Sequence, residues 1–245
     1  MKRHMWLKPV LLTGIFVCLF AGSLCYGNTV RQTYVDDTDF DRYLQNRDLR
    51  ILYYHYPFDK QYDVYGEGNM PADYEALADS ADLIVRARLV EGEKRSIYQE
   101  CILSEIEVLD VYQGKIGENR QLSIFEPVNC TGIEGEMLCS EGYIPMRKDT
   151  EYILFLKGLR SALFAEDDLV YIPSTLSYSK YEIGKIKTRK FRLEEAESGK
   201  LKYENIKSQE VLLYSEKMYE NFIQLKKVIS QNIIGNISIT KSCVQ

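Results

Sequence analysis

The chain has 245 residues with 31 basic against 36 acidic side chains, a net charge of −5, and 45% hydrophobic composition. That balance supplies the core of one domain of ordinary size, and it disfavours a nucleic-acid partner, whose phosphates reward a basic surface. Two histidines, His4 and His55, are too few for much acid–base chemistry. No G-x-S-x-G turn, glycine-rich phosphate loop or C-x₂-C pair accompanies them, so the expected protein is non-enzymatic, without cofactor or metal.

The first 27 residues carry targeting information. MKRHMWLK is a basic n-region, and the apolar run from Pro9 to Cys25 ends among small residues, the pattern of a secretory signal. Small residues permit cleavage after Ser23, Cys25 or Gly27. The run holds 17 residues, the lower bound for a bilayer span of roughly 17–25, so an uncleaved membrane anchor stays open. A lipoprotein signal is not formed, because Leu24 directly precedes Cys25 and Gly22 stands three places before it. The expected location is extracytoplasmic, secreted or anchored through this segment. Losing Lys2, Arg3 and Lys8 with it takes the net charge from −5 to −8.

Residues 28–70 are polar, acidic and tyrosine-rich, with no sustained period, and read as an arm or linker. One short helix is expected near DDTDFDRYLQ, with Asp37 or Asp39 as its cap and Phe40, Tyr43 and Leu44 as its apolar stripe. The D-x-D-x-D spacing there suggests calcium, but Arg42 occupies the place where a calcium loop needs glycine. Tyr53, Tyr54, Tyr56, Tyr62 and Tyr65 crowd the end of the arm. They form either a docking surface for a protein or glycan, or a strap whose rings are buried against the domain. His55 among them reads as an ordinary packing or surface residue.

Residues 71–205 carry the β pattern. After a short helix-forming stretch, Leu83, Val85, Ala87 and Leu89 alternate with Arg86 and Arg88. CILSEIEVLDVYQG follows, where Glu105 and Glu107 share the solvated face, and then come QLSIFEPV, EYILFLKG and DLVYIP. EYILFLKG is apolar on both faces, as a strand covered on both sides should be. These elements predict a mainly β (α+β) fold, a small OB-like five-stranded barrel. Residues 206–245 add a C-terminal amphipathic helix and tail. Ser215 is the expected N-cap, Gly235 the residue past the end, and Met218, Phe222, Leu225 and Ile229 the stripe, with Lys226 and Lys227 near the C-terminal dipole.

Four cysteines, Cys101, Cys130, Cys139 and Cys243, fall in the body of the chain. In an oxidising compartment they allow two disulfides, the local one joining Cys130 to Cys139 across a turn-rich loop. Cys101 and Cys243 then pair by default or stay free. Lys185, Lys187 and Arg189 share one face of an extended segment, either as a dock for a polyanionic surface polymer or as ordinary edge-strand protection.

ADLIVRARLV (Ala81 to Val90), the turn VYQG (Val111 to Gly114) and DTEYILFLKG (Asp149 to Gly158) resemble the netrin-like domain. This OB-type barrel occurs in tissue inhibitors of metalloproteinases and in extracellular binding proteins, and the span from Ala78 to Ile172 also resembles uncharacterised exported bacterial proteins. The resemblance implies an opening barrel strand, a hairpin turn and a central strand at those three places. Inhibitors of the family hold their target's zinc through a mature N-terminal cysteine, for which Cys25 is the candidate here, with no cysteine between it and Ala81. The expected function is thus a cell-surface binding module for an extracellular protein or surface polymer, with inhibition of an extracellular protease as the alternative.

Overall fold

The computed structural model describes residues 35–54, 70–98, 101–130, 135–159 and 170–234. The signal segment, His55, Tyr56, Tyr62, Tyr65, Gly235 and Cys243 lie outside them. The compact unit that holds the described elements begins at Thr38.

Strand β1 (Val35–Asp39) ends at the expected cap. The Asp39 carboxylate accepts the Asp41 N–H at 3.1 Å and opens the single-turn helix α1 (Phe40–Tyr43). Strand β2 (Arg50–Tyr54) follows, and a second capped helix, α2 (Tyr74–Asp79), leads into β3 (Leu83–Leu89). The remaining strands are β4 (Ser96–Tyr98), β5 (Cys101–Gln113), β6 (Gln121–Glu126), β7 (Val128–Asn129), β8 (Glu136–Ser140), β9 (Tyr152–Leu159) and β10 (Val170–Pro173).

The five strands expected from the sequence are the ones that close the barrel, in the order β3, β5, β6, β10, β9 and back to β3. All pairings are antiparallel except β10 on β6, where Val170 meets Ser123 and Tyr171 meets Ile124. β5 is long enough to serve two neighbours: its first half pairs with β6 and its second half with β3. Two register shifts against β3 bend it round the barrel. Side chains with period 2 fill the interior, among them Val85, Ala87, Val108, Ile124 and Leu154. β9 is buried from Tyr152 to Leu156 on both faces, because its outward Ile153 and Phe155 are covered too.

The cover on that side is the C-terminal helix α5 (Glu216–Ile229), reached through β11 (Lys180–Glu182), α3 (Leu193–Glu197), β12 (Leu201–Lys202) and α4 (Tyr203–Ile206). Ser215 caps α5 as expected, accepting the Met218 N–H at 3.2 Å. Phe222 stacks on Tyr181 at 5.0 Å, and Leu225 and Ile229 pack beside it. The helix does not stop at Ser230 but widens into a π-turn over Ser230–Ile234.

A second, four-stranded sheet runs β12, β2, β8, β7. β2 belongs to the segment read as an arm, yet it lies between two partners, parallel to β8 from Arg50–Glu136 to Tyr54–Ser140. The backbone of the arm is therefore part of the fold over these residues. β7 and β8 also set the fate of the cysteines. Cys139 faces Val128 across the ladder, and Cys130 directly follows the end of β7. The expected Cys130–Cys139 bridge is not formed, and both residues are thiols. Burial pushes the Cys130 thiol up to about 12 and raises Cys139 as well.

The turn after β8 needs glycine at one position. Gly142 has φ +78°, and a Cβ there would lie 2.1 Å from the Leu212 carbonyl oxygen. Leu212 in turn donates its N–H to the Gly142 carbonyl at 2.9 Å, so neither backbone can retreat without losing that bond. Gly142→Ala is expected to cost about 3 kcal/mol or more, read as a fall in Tm of roughly 6–12 °C for a domain of this size; an unchanged melting curve would contradict the close approach.

Candidate interaction surface

Leaving β11, the chain turns at Gly184, where φ is +119°. The turn is closed by one carboxylate. Glu210, 2% exposed, accepts the Glu182 N–H at 3.0 Å on one oxygen and the Lys187 N–H at 3.1 Å on the other. Its charge is balanced by the buried Lys226 ammonium of α5, which also donates to the Lys185 carbonyl at 3.4 Å. Lys226 stands four residues after Phe222, on the apolar side of the helix. The Glu182 carboxylate is held from outside by Lys187 at 2.6 Å and by Arg147. Burial would raise this carboxyl, but the Lys187 and Arg147 contacts outweigh it and keep Glu182 below its usual range.

Beyond Lys187 the segment runs extended along residues 210–213. Thr188 donates its hydroxyl to the Val211 carbonyl at 3.0 Å, and the Phe191 N–H reaches the Leu213 carbonyl at 2.7 Å. Phe191 is buried as an anchor beneath the Arg189 guanidinium, 4.7 Å from its ring centre. The result is a fixed ridge bearing Lys185, Lys187, Arg189, Lys190 and Arg192, with no acid from Ile183 to Leu193. Lys187 and Lys190 have carboxylate partners in Glu182 and Glu216. Lys185, Arg189 and Arg192 have none among the described residues. Between Lys185 and Lys187 sits Ile186, 40% exposed, the one large apolar side chain so placed among the described residues.

Behind the ridge lies a second charged cluster. Lys180, 3% exposed, has its ammonium over the rings of Tyr143 (4.8 Å) and Tyr152 (5.0 Å) and donates to the Glu210 carbonyl at 3.3 Å. Burial draws its pKa down to about 8, against the pull of Glu126 and Glu210. Glu126, fully buried, accepts from the Ser104 hydroxyl (2.6 Å), the Met146 N–H (2.7 Å), the Tyr143 hydroxyl (3.2 Å) and Arg95 (3.3 Å). Arg95 continues to Asp41, which Lys148 also meets at 2.7 Å. Asp41 is thus committed to cations of the protein itself.

The other sequence candidates separate cleanly. Tyr53 is 6% exposed, donates its hydroxyl to Glu141 at 2.7 Å and meets Tyr214 edge to face, so its ring packs internally. Tyr54 ends β2, and the later tyrosines fall outside the described residues. Glu105 accepts from the Ser123 hydroxyl and Glu107 pairs with Arg88, as on an ordinary solvated strand face. Among the described residues no three His, Cys, Asp or Glu side chains are placed to hold a metal ion, and no helix is long and apolar enough to cross a membrane. Sequence reading missed Glu210, Lys180, Glu126 and Arg95, and took Lys226 only as a cation near the end of the helix.

Barrel, flanking sheet and helix define a mainly β protein with a closed five-strand barrel, compatible with an OB-like fold, and a basic ridge hydrogen-bonded to the buried Glu210. Comparison of the chain with known protein families, curated proteins and solved structures finds no match.

Lys180 gives the cluster a pH signature. Its pKa is about 8 in the folded chain against 10.5 unfolded. Below pH 8 both states hold the proton; above it the folded state releases a proton that the unfolded state keeps, so this group makes stability rise with pH. The buried Cys130 and Cys139 thiols act in the opposite sense above about pH 9. The comparison is therefore with Lys180→Met: between pH 8 and 9.5 the unfolding free energy of the parent should gain on the variant by roughly 1 kcal/mol per unit. Parallel pH profiles from urea melts would refute the assignment.

Proposed function

We propose that the protein is an exported, non-enzymatic interaction module of the cell surface. It docks through the ridge of Lys185, Lys187 and Arg189 on a negatively charged partner, an extracellular protein or a surface polymer. The observation that carries this reading is the grip of Glu210 on both ends of the Glu182–Lys187 turn. A buried, compensated carboxylate fixes the backbone beneath Lys185, Lys187 and Arg189, of which only Lys187 has a carboxylate partner among the described residues. Complementary charge of this kind steers encounter even when the protein as a whole is acidic. The N-terminal apolar run supports an extracytoplasmic site of action.

The test uses the full-length chain in mild detergent, titrated against dextran sulfate and against neutral dextran. Binding to the sulfated polymer alone is expected, weakening with salt, and Lys185→Glu with Arg189→Glu should reduce it at least about tenfold. Equal binding by parent and variant would remove the ridge from the reading.

The closed barrel keeps a second reading in place, a netrin-like inhibitor of an extracellular protease. N-terminal sequencing of the exported protein decides it. A mature chain beginning at Cys25 sustains inhibition, and a cut after Cys25 ends it.

A further inference from the structure

Three features of the ridge belong together. It is the basic surplus of an acidic chain, it is held rigid from below, and it carries Ile186 exposed between two of its lysines. A soluble polyanion would use the charges and gain nothing from the isoleucine. A lipid surface uses both. Cations close to an anionic headgroup layer each strengthen docking about fivefold, and an apolar side chain at the same depth leaves water for the acyl boundary.

We infer that the turn around Ile186 is a membrane-docking element whose partner is the headgroup layer of an anionic bilayer; this rests on the docking reading of the same ridge. The backbone enters edge-on. Ile186 reaches the acyl boundary, while the flexible stems of Lys185, Lys187 and Arg189 keep their charges among the phosphates on either side. Glu210 makes the arrangement inexpensive in entropy, since both ends of the turn are hydrogen-bonded to one buried carboxylate before any lipid arrives. Lys187 is retained by Glu182 and Arg189 rests on Phe191, so the cations too are partly ordered.

The protein offers a direct reporter, because Trp6 is its sole tryptophan. The full-length chain carrying Trp6→Phe and Ile186→Trp is reconstituted into vesicles of neutral phosphatidylcholine, or of phosphatidylcholine mixed with anionic phosphatidylglycerol, each with and without brominated acyl chains. In the anionic vesicles the introduced indole should shift to the blue and be quenched by bromine. Quenching should be at least about fivefold weaker in neutral vesicles and should fall as much when Lys185→Glu and Arg189→Glu are added. Near-ultraviolet dichroism and melting of each variant exclude a folding defect. An indole that stays unshifted and unquenched in anionic vesicles overturns the lipid assignment. If that chain in detergent still binds dextran sulfate, the docking reading survives with a polymer or protein as partner; if it binds neither, both fall.

Discussion

Glu210 is a carboxylate taken almost wholly out of water, and a charge in that position persists only where the protein compensates it on every side. Lys226 supplies the opposite charge, and the N–H groups of Glu182 and Lys187 supply the hydrogen bonds. Each comes from a different part of the chain, so one ionised group fastens the end of β11, the start of the basic ridge and the C-terminal helix to one another. The same logic recurs at Glu126, which receives a guanidinium, two hydroxyls and a backbone N–H. Removing any single partner in such a set leaves its neighbour stranded, which is why these contacts are structural commitments and not surface decoration.

Lys180 stands between the two sets, with no carboxylate within ion-pair distance among the described residues. Aromatic faces replace it: the quadrupoles of Tyr143 and Tyr152 offer partial negative charge at 4.8 and 5.0 Å. This is weaker compensation than an ion pair. The lowered pKa follows from that shortfall, with burial as its leading cause.

How much of this was legible from residues alone depends on periodicity. The five barrel strands were: β3 and β5 run long enough for period 2 to show, β9 was recognised by its unbroken apolar run from Tyr152 to Leu156, and β6 and β10 as short apolar runs beside them. The cap at Ser215 and the stripe of α5 were equally plain. β2 was not, since it is one strand of five residues in a polar stretch, and its partner β8 lies in a segment that turn residues mark as loop. Its pairing is parallel and remote, with nothing local to announce it. The buried charges escaped for a related reason. Lys226 reads as a favourable cation at a helix end, and only its place four residues after Phe222 hints that it faces inward. Glu210 has no pattern at all, because its burial is made by segments that meet only in the folded chain. The basic residues of the ridge were visible, but not the carboxylate that holds them, nor the exposure of Ile186.

The barrel closes through a parallel seam, Val170 on Ser123, with β7, β8 and β9 intervening in the chain. No hairpin can nucleate such a contact; the entropy of a long loop has to be met before the pairing returns anything. Until β10 arrives, β6 carries an unpaired edge, the kind of surface that recruits strands from other molecules. The hydroxyl-rich turn that follows β10 bonds Ser174, Thr175 and Ser179 to one another directly beyond that seam.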